Sequence, residues 1–103
     1  MSTETITDIK IDEKIKRQDT PPPKFKVIFL NDDSTPMEWV IELLMTVFKH
    51  NRAGAEKITL TIHNEGAGVV GVYSHELAEQ KAVEATNASR SHGFPLRIKI
   101  EKE

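Results

Sequence analysis

An α+β fold is what this chain of 103 residues predicts, and three observations lead to it. The run Phe25-Lys26-Val27-Ile28-Phe29-Leu30 is apolar and β-rich, as a strand should be. From Met37 the apolar residues change to helical spacing, and they do so again after Ser74. Leu96-Arg97-Ile98-Lys99-Ile100-Glu101 then alternates strictly, as a half-exposed closing strand does. Three strands with two or three helices make a small antiparallel sheet covered on one face by helices.

Residues 1–20 form a zone of their own, rich in charge from Asp8 to Asp19 and interrupted only by scattered isoleucines. Such a segment buries too little to offset its ordering entropy, so a disordered tail is expected. Pro21-Pro22-Pro23 is a stiff spacer into the first strand. The predicted organisation is therefore a flexible charged extension over residues 1–23 and one folded domain over residues 24–103.

Met37 to about Lys49 is the clearest helix. Trp39, Val40, Leu43, Leu44, Val47 and Phe48 cover an arc wider than the roughly 100° that packing on one surface requires. This helix should touch the sheet and something else, with Trp39 as a buried anchor. Its start is expected to be capped by Asp33, Ser34 or Thr35, with Pro36 in the first turn. The next stretch reads two ways. Ala55, Ile58 and Ile62 fit a helix capped by Asn51, whereas Ile58-Thr59-Leu60-Thr61-Ile62 alternates and is rich in β-branched residues, which favours a strand. Asn64-Glu65-Gly66 stops it, and Ala67 to Tyr73 reads as a short strand. Ser74 caps a helix from His75 to about Ser91 with a small-residue side of Leu77, Ala78, Ala82, Ala85 and Ala88, and His92-Gly93 and Pro95 end it.

Composition narrows the function classes. A net charge of −2 makes no electrostatic case for nucleic acid, and four histidines with no cysteine show no metal-ligand spacing, so neither metal nor cofactor is expected. No apolar run approaches a membrane span and no secretory signal is legible, so a cytoplasmic protein without a membrane partner is expected. No nucleophile with a base and no phosphate loop can be read, and Asp32 and Asp33, adjacent in one loop, cannot flank a scissile bond. The reading is a binding protein, not an enzyme. Its most informative stretch is Asn31-Asp32-Asp33, negative charge between the first strand and the apolar arc of the helix, where a rigid scaffold places a cation site.

The run from Phe25 through Asn31-Asp32-Asp33-Ser34-Thr35-Pro36-Met37-Glu38 closely resembles ClpS, the adaptor family that delivers N-degron substrates to the Clp unfoldase and protease. Ile62-His63, Gly71-Val72-Tyr73, Ala78-Glu79-Gln80-Lys81-Ala82 and Gly93-Phe94-Pro95-Leu96 match as well, so the resemblance covers about residues 24–103. It implies a three-stranded antiparallel sheet backed by three helices, which turns the ambiguous stretch into a helix. It also implies that Asn31 and His63 accept hydrogen bonds from a client's free α-amino group, with Asp32 and Asp33 supplying charge. An ammonium has three donors, and this set offers acceptors for them. The first side chain of the client, Leu, Phe, Tyr or Trp, then enters a hollow lined by Thr35, Pro36, Met37 and Val40, with Leu43, Ile62 and Leu96. Thr59 stands at the wall where many relatives carry methionine, which implies a wider and slightly more polar hollow. Glu76 and Lys81 match the surface that docks the amino-terminal domain of the AAA+ unfoldase, and a monomer is expected. The fold is also similar to the carboxy-terminal domain of the ribosomal stalk protein, so an interaction module without amine recognition is the alternative.

Overall fold

The computed structural model describes residues 21–103, so the predicted disordered tail over residues 1–20 lies outside the described residues. The elements are β1 (Phe25–Leu30), α1 (Met37–Thr46), α2 (Arg52–Glu65), β2 (Ala67–Tyr73), α3 (His75–Ser91) and β3 (Arg97–Lys102). The sheet has the order β2-β1-β3 with both pairings antiparallel. Because β1 is central, its carboxy-terminal end lies beside the starts of both neighbours: Leu30 pairs with Ala67 and with Arg97. The loop leaving β1, the end of α2 and the residue before β3 therefore meet at one edge. The predicted site loop starts there.

Alternation along β1 sends Val27 and Phe29 into the core, where they meet Leu43, Leu44, Val70 and Leu96. The helices cover this face of the sheet. Cross-strand partners share a face, so Ile28, Val69 and Lys99 lie on the other one, next to a bulge in β2 between Gly71 and Val69. Val70, the residue without a partner in β1, is fully buried.

The stretch whose alternation favoured a strand is the second half of α2. Two local signals define that helix: the Asn51 carbonyl oxygen of the side chain accepts from the Gly54 amide at 2.8 Å, and Gly66 ends it at φ 89° with its amide donating to the Ile62 carbonyl. Ala55, Thr59 and Ile62 are buried on one face with Ile58 beside them, the i, i+4, i+7 spacing of a helix stripe, while Leu60 is 52% exposed. Alternation of Ile58, Leu60 and Ile62 was thus a coincidence of β-branched residues on a helix, and burial separates the three.

Helix α1 is shorter than its apolar pattern. It ends at Thr46, and Val47 and Phe48 remain buried in the turn that follows, where Lys49 adopts φ 63°. Helix α3 spans His75–Ser91, starts at the predicted Ser74 cap, and packs through Ala78, Ala82, Ala85 and Ser89. Leu77, expected on its packing side, is 40% exposed. Trp39 is half-buried, held by an indole hydrogen bond to the Ser89 hydroxyl at 2.9 Å and lying 4.3 Å from the His92 ring.

Candidate functional site: an acidic loop beside an apolar hollow

Asp32 shapes the loop. One of its carboxylate oxygens accepts from the amides of Ser34 and Thr35 at 2.8 and 2.7 Å, and the other accepts from the Thr35 hydroxyl at 2.9 Å. Partial burial pushes this carboxyl up, but the hydrogen bonds from the Thr35 side chain and the two amides, with the charge of Arg97, outweigh it and hold the group below its usual range. The expected side-chain cap on α1 is not made: Pro36 is the N-cap residue and brings none. Asp32 instead satisfies amides one turn earlier, since a short acidic side chain bonds its own backbone two and three residues on.

A second tie brings the loop to α2. The Asn31 amide donates to the Gly66 carbonyl at 2.9 Å, three residues after His63. Gly68, paired with Phe29, is the point where β2 passes this helix end, and a Cβ there would lie 2.8 Å from Ile62 Cγ1. Only a glycine lets the strand run this close to Ile62.

Between these ties lies a hollow. Asn31, Asp32 and His63 stand on its polar side, and Leu30, Val40, Ile62 and Leu96 on its apolar side, with Thr35, Met37 and Thr59 completing it. It encloses about 280 Å³ counted out to its mouth, yet only about 20 Å³ lies far enough from every wall to take the centre of a water molecule. Met37 is 40% exposed and is the most adjustable part of the wall. Among the described residues neither the side-chain amide of Asn31 nor the His63 ring has an intramolecular hydrogen-bond partner.

Of the residues that the sequence singled out, Asn31, Asp32, His63, Thr35, Met37, Val40, Thr59, Ile62 and Leu96 come together around this space. Three do not line it: Asp33 is exposed beyond the rim, Pro36 faces the other side of the α1 start, and Leu43 is core, 2% exposed. Helix spacing puts Leu43 on the arc with Val40, but the sheet already covers it. Leu30 was missed; its signal was the alternation of β1, which turns it away from Phe29 and towards the loop it precedes. The expected polarity of Thr59 is spent within α2, since its hydroxyl donates to the Ala55 carbonyl at 2.7 Å in a buried setting.

Glu76 and Lys81, expected together on one exposed surface, are separated in character. Glu76 is exposed and lines a shallow groove with Glu79, Val83 and Ile100, whereas the Lys81 ammonium turns inward. It donates to the Val47 carbonyl at 2.8 Å and lies 5.4 Å from the Tyr73 ring centre and 5.9 Å from that of Phe48.

The family model of the ATP-dependent Clp protease adaptor protein ClpS matches residues 20–99. The chain belongs to the ClpS family. The ATP-dependent Clp protease adapter protein ClpS of Roseobacter denitrificans is 49% identical over 82 residues, covering 80% of this chain and 73% of that protein. The ClpS of a Ruegeria strain is 42% identical over 97 residues, covering 94% and 86%. Agrobacterium tumefaciens ClpS2, solved bound to L-phenylalaninamide, superposes with a TM-score of 0.78 at 40% identity over 81% of this chain and all of that one. ClpS proteins are non-catalytic adaptors of the Clp protease, and this chain is one of them. Among the described residues no group of three or more His, Asp or Glu could hold a metal ion, and no helix is long and apolar enough to cross a membrane.

Proposed function

We propose that this ClpS family member binds proteins whose free amino-terminal residue is Leu, Phe, Tyr or Trp, and hands these N-degron clients to a Clp AAA+ unfoldase in the cytoplasm. The observation that carries the reading is the pairing, in one small hollow, of unsatisfied acceptors on Asn31 and His63 and the Asp32 charge with the apolar wall of Val40, Ile62 and Leu96. The ligand of the Agrobacterium relative supports it, because L-phenylalaninamide presents a free amine and a benzyl group without a carboxylate, as the first residue of a chain does. In this reading Asn31 and His63 accept from the ammonium. Asp32 supplies charge while holding the loop, and Asp33 adds only longer-range charge from beyond the rim. Burying a leucine or phenylalanine side chain contributes roughly 1.5–3 kcal/mol before ordering costs, so amine and side chain are both needed.

Docking of a monomeric adaptor to the unfoldase amino-terminal domain is assigned to the exposed face around Glu76, with Lys81 supporting that face from beneath. The charged tail, outside the described residues, is assigned to delivery: a chain starting at Pro21 should bind peptide normally but fail to promote degradation of an N-degron reporter. Full degradation activity without the tail would remove that role. The central test is fluorescence anisotropy with a Phe-initiated peptide and its acetylated twin. Acetylation removes the charge and leaves acceptors that the peptide covers unpaired at about 1–3 kcal/mol each, so binding should weaken by at least about tenfold. Equal binding would favour the stalk-like module, an interaction domain without amine recognition.

A further inference from the structure

A broad, shallow groove runs between α3 and β3. It measures about 990 Å³ counted out to its open mouth and is lined by Glu76, Glu79, Gln80, Ala82, Val83 and Ile100. Its floor is apolar and uncovered, with Val83 58% exposed. Its rim is acidic. Among the described residues Glu76 has no ion-pair partner and Glu79 has only the His75 ring, at 3.6 Å. An apolar strip under two carboxylates suits a short basic segment that carries an apolar side chain.

The chain contains such a segment, and it enters the fold beside the groove. Lys14-Ile15-Lys16-Arg17 sets three cations around one isoleucine, between acidic residues at Asp12, Glu13 and Asp19. The start of β1 lies next to the end of β3: the Glu103 amide donates to the Lys24 carbonyl at 2.9 Å, and Phe25 pairs with Lys102. The Phe25 ring centre is 4.7 Å from that of His75, the residue before Glu76, and Ile100 is two positions back along β3. Nine residues lead from Ile15 to Lys24 and span up to about 30 Å when extended, so the basic run reaches the groove with chain to spare. A tether this short holds the run at an effective concentration in the millimolar range, so a contact of only millimolar affinity is substantially occupied.

We propose that Lys14 to Arg17 dock in this groove of their own chain, with Ile15 against Val83 and Ile100 and the cations against Glu76 and Glu79. The consequence rests on the assignment of unfoldase docking to the face around Glu76: the tail masks that face in the adaptor alone, and the arriving unfoldase displaces it. The delivery segment is then released only where a machine is in place.

The chain has no cysteine, so Glu13→Cys in the full-length protein gives a single site for a nitroxide label. In NMR spectra the label should broaden the amide signals of Val83 and Ile100. Glu76 and Glu79 are exposed, so Glu76→Lys with Glu79→Lys leaves the fold intact and should reduce that broadening at least about threefold. Lys14→Glu, Lys16→Glu and Arg17→Glu together should do the same, and combining the two sets of reversals should restore it. Labelled protein mixed with unlabelled, isotope-enriched protein should leave the enriched signals sharp. The contact is overturned if Val83 and Ile100 are not broadened, if the reversals change nothing, or if the mixed sample broadens, which would make the occupant a second copy. The label reads the contact without any unfoldase. A chain starting at Pro21 should then bind the unfoldase amino-terminal domain at least about threefold more tightly than the full chain. Equal affinity overturns the masking, whereas failure of both chains to bind brings down the docking assignment and the masking with it, but not the contact.

Discussion

The two ends of α1 are finished in opposite ways. At the carboxy-terminal end the chain closes on itself: the Lys81 ammonium reaches the Val47 carbonyl, the His50 amide donates to the Leu44 carbonyl, and Phe48 and Tyr73 stand close to the half-buried cation. At the amino-terminal end Pro36 brings no side-chain cap, and Asn31 and His63 face a hollow with their side chains unpaired among the described residues. A helix carries orphan backbone groups at each end, and they can be satisfied by the protein or left to solvent and ligands. Here the closed end holds the fold, and the open end carries the proposed binding site. Asp32 is the one residue that serves both purposes, since it spends its hydrogen bonds on the loop while keeping its charge beside the hollow.

The comparison breaks most visibly at the closed end. Lys81→Met keeps the apolar stem but removes the ammonium, leaving the Val47 carbonyl without its partner and the two rings without their cation. Stability should fall by about 1–3 kcal/mol in urea unfolding, while affinity for a Phe-initiated peptide at the other end of the helix stays the same. A loss of peptide affinity with unchanged stability would place Lys81 in recognition and erase the distinction between the ends.

At the open end the sharpest probe is Met37, exposed at the mouth of a hollow too narrow to admit a side chain without movement. A β-branched first residue would meet Met37 at its Cβ, and overpacking of that kind costs about 1–3 kcal/mol. Met37→Ala should therefore admit Ile- and Val-initiated peptides with a gain of about tenfold while retaining Leu. If the variant loses Leu and gains nothing, Met37 builds the wall and does not select. The fold should be indifferent, because Met37 contributes nothing to the buried core.

The smallest effect, and the one that separates the residues of the open end, is the response to pH. A histidine accepts from an ammonium only when neutral, so affinity should decline about threefold or more as the solution is made mildly acidic. His63→Gln should flatten that step. The Asp32 contribution has the opposite placement. Its carboxyl is held below the usual range, so the loop order it supplies is complete at neutral pH and is lost only as pH falls through its depressed folded value, below the ordinary carboxylate range. Two separate losses are expected, one that depends on His63 and one at stronger acidity that depends on Asp32. Affinity that stays flat until the second would remove His63 from the acceptor set.

Local chemistry was enough for much of this protein. The strand limits, the Ser74 cap, the breaks at Gly66 and Gly93, and the loop with Asn31 and Asp32 are governed by turn residues and periodicity that act within a few positions of themselves. Those same rules misjudged Ile58 to Ile62, because alternation and helical spacing coincide over five residues and only the partners at Ala55 and Asn51 separate them. They could not tell Leu43 from Val40 on one apolar arc either: both lie on it, but the sheet covers the first and leaves the second to line the hollow. Leu30 and Lys81 depended on tertiary structure in the same way. Whether an apolar residue at a strand end faces a ligand space, and whether a lysine on a helix is solvated or folded onto a carbonyl 34 residues away, depends on what the other elements bring near it. Side-chain type and spacing set what each residue can do. The antiparallel placement of β1 between β2 and β3 decides which of them meet, because it brings the ends of distant segments to one edge of the sheet.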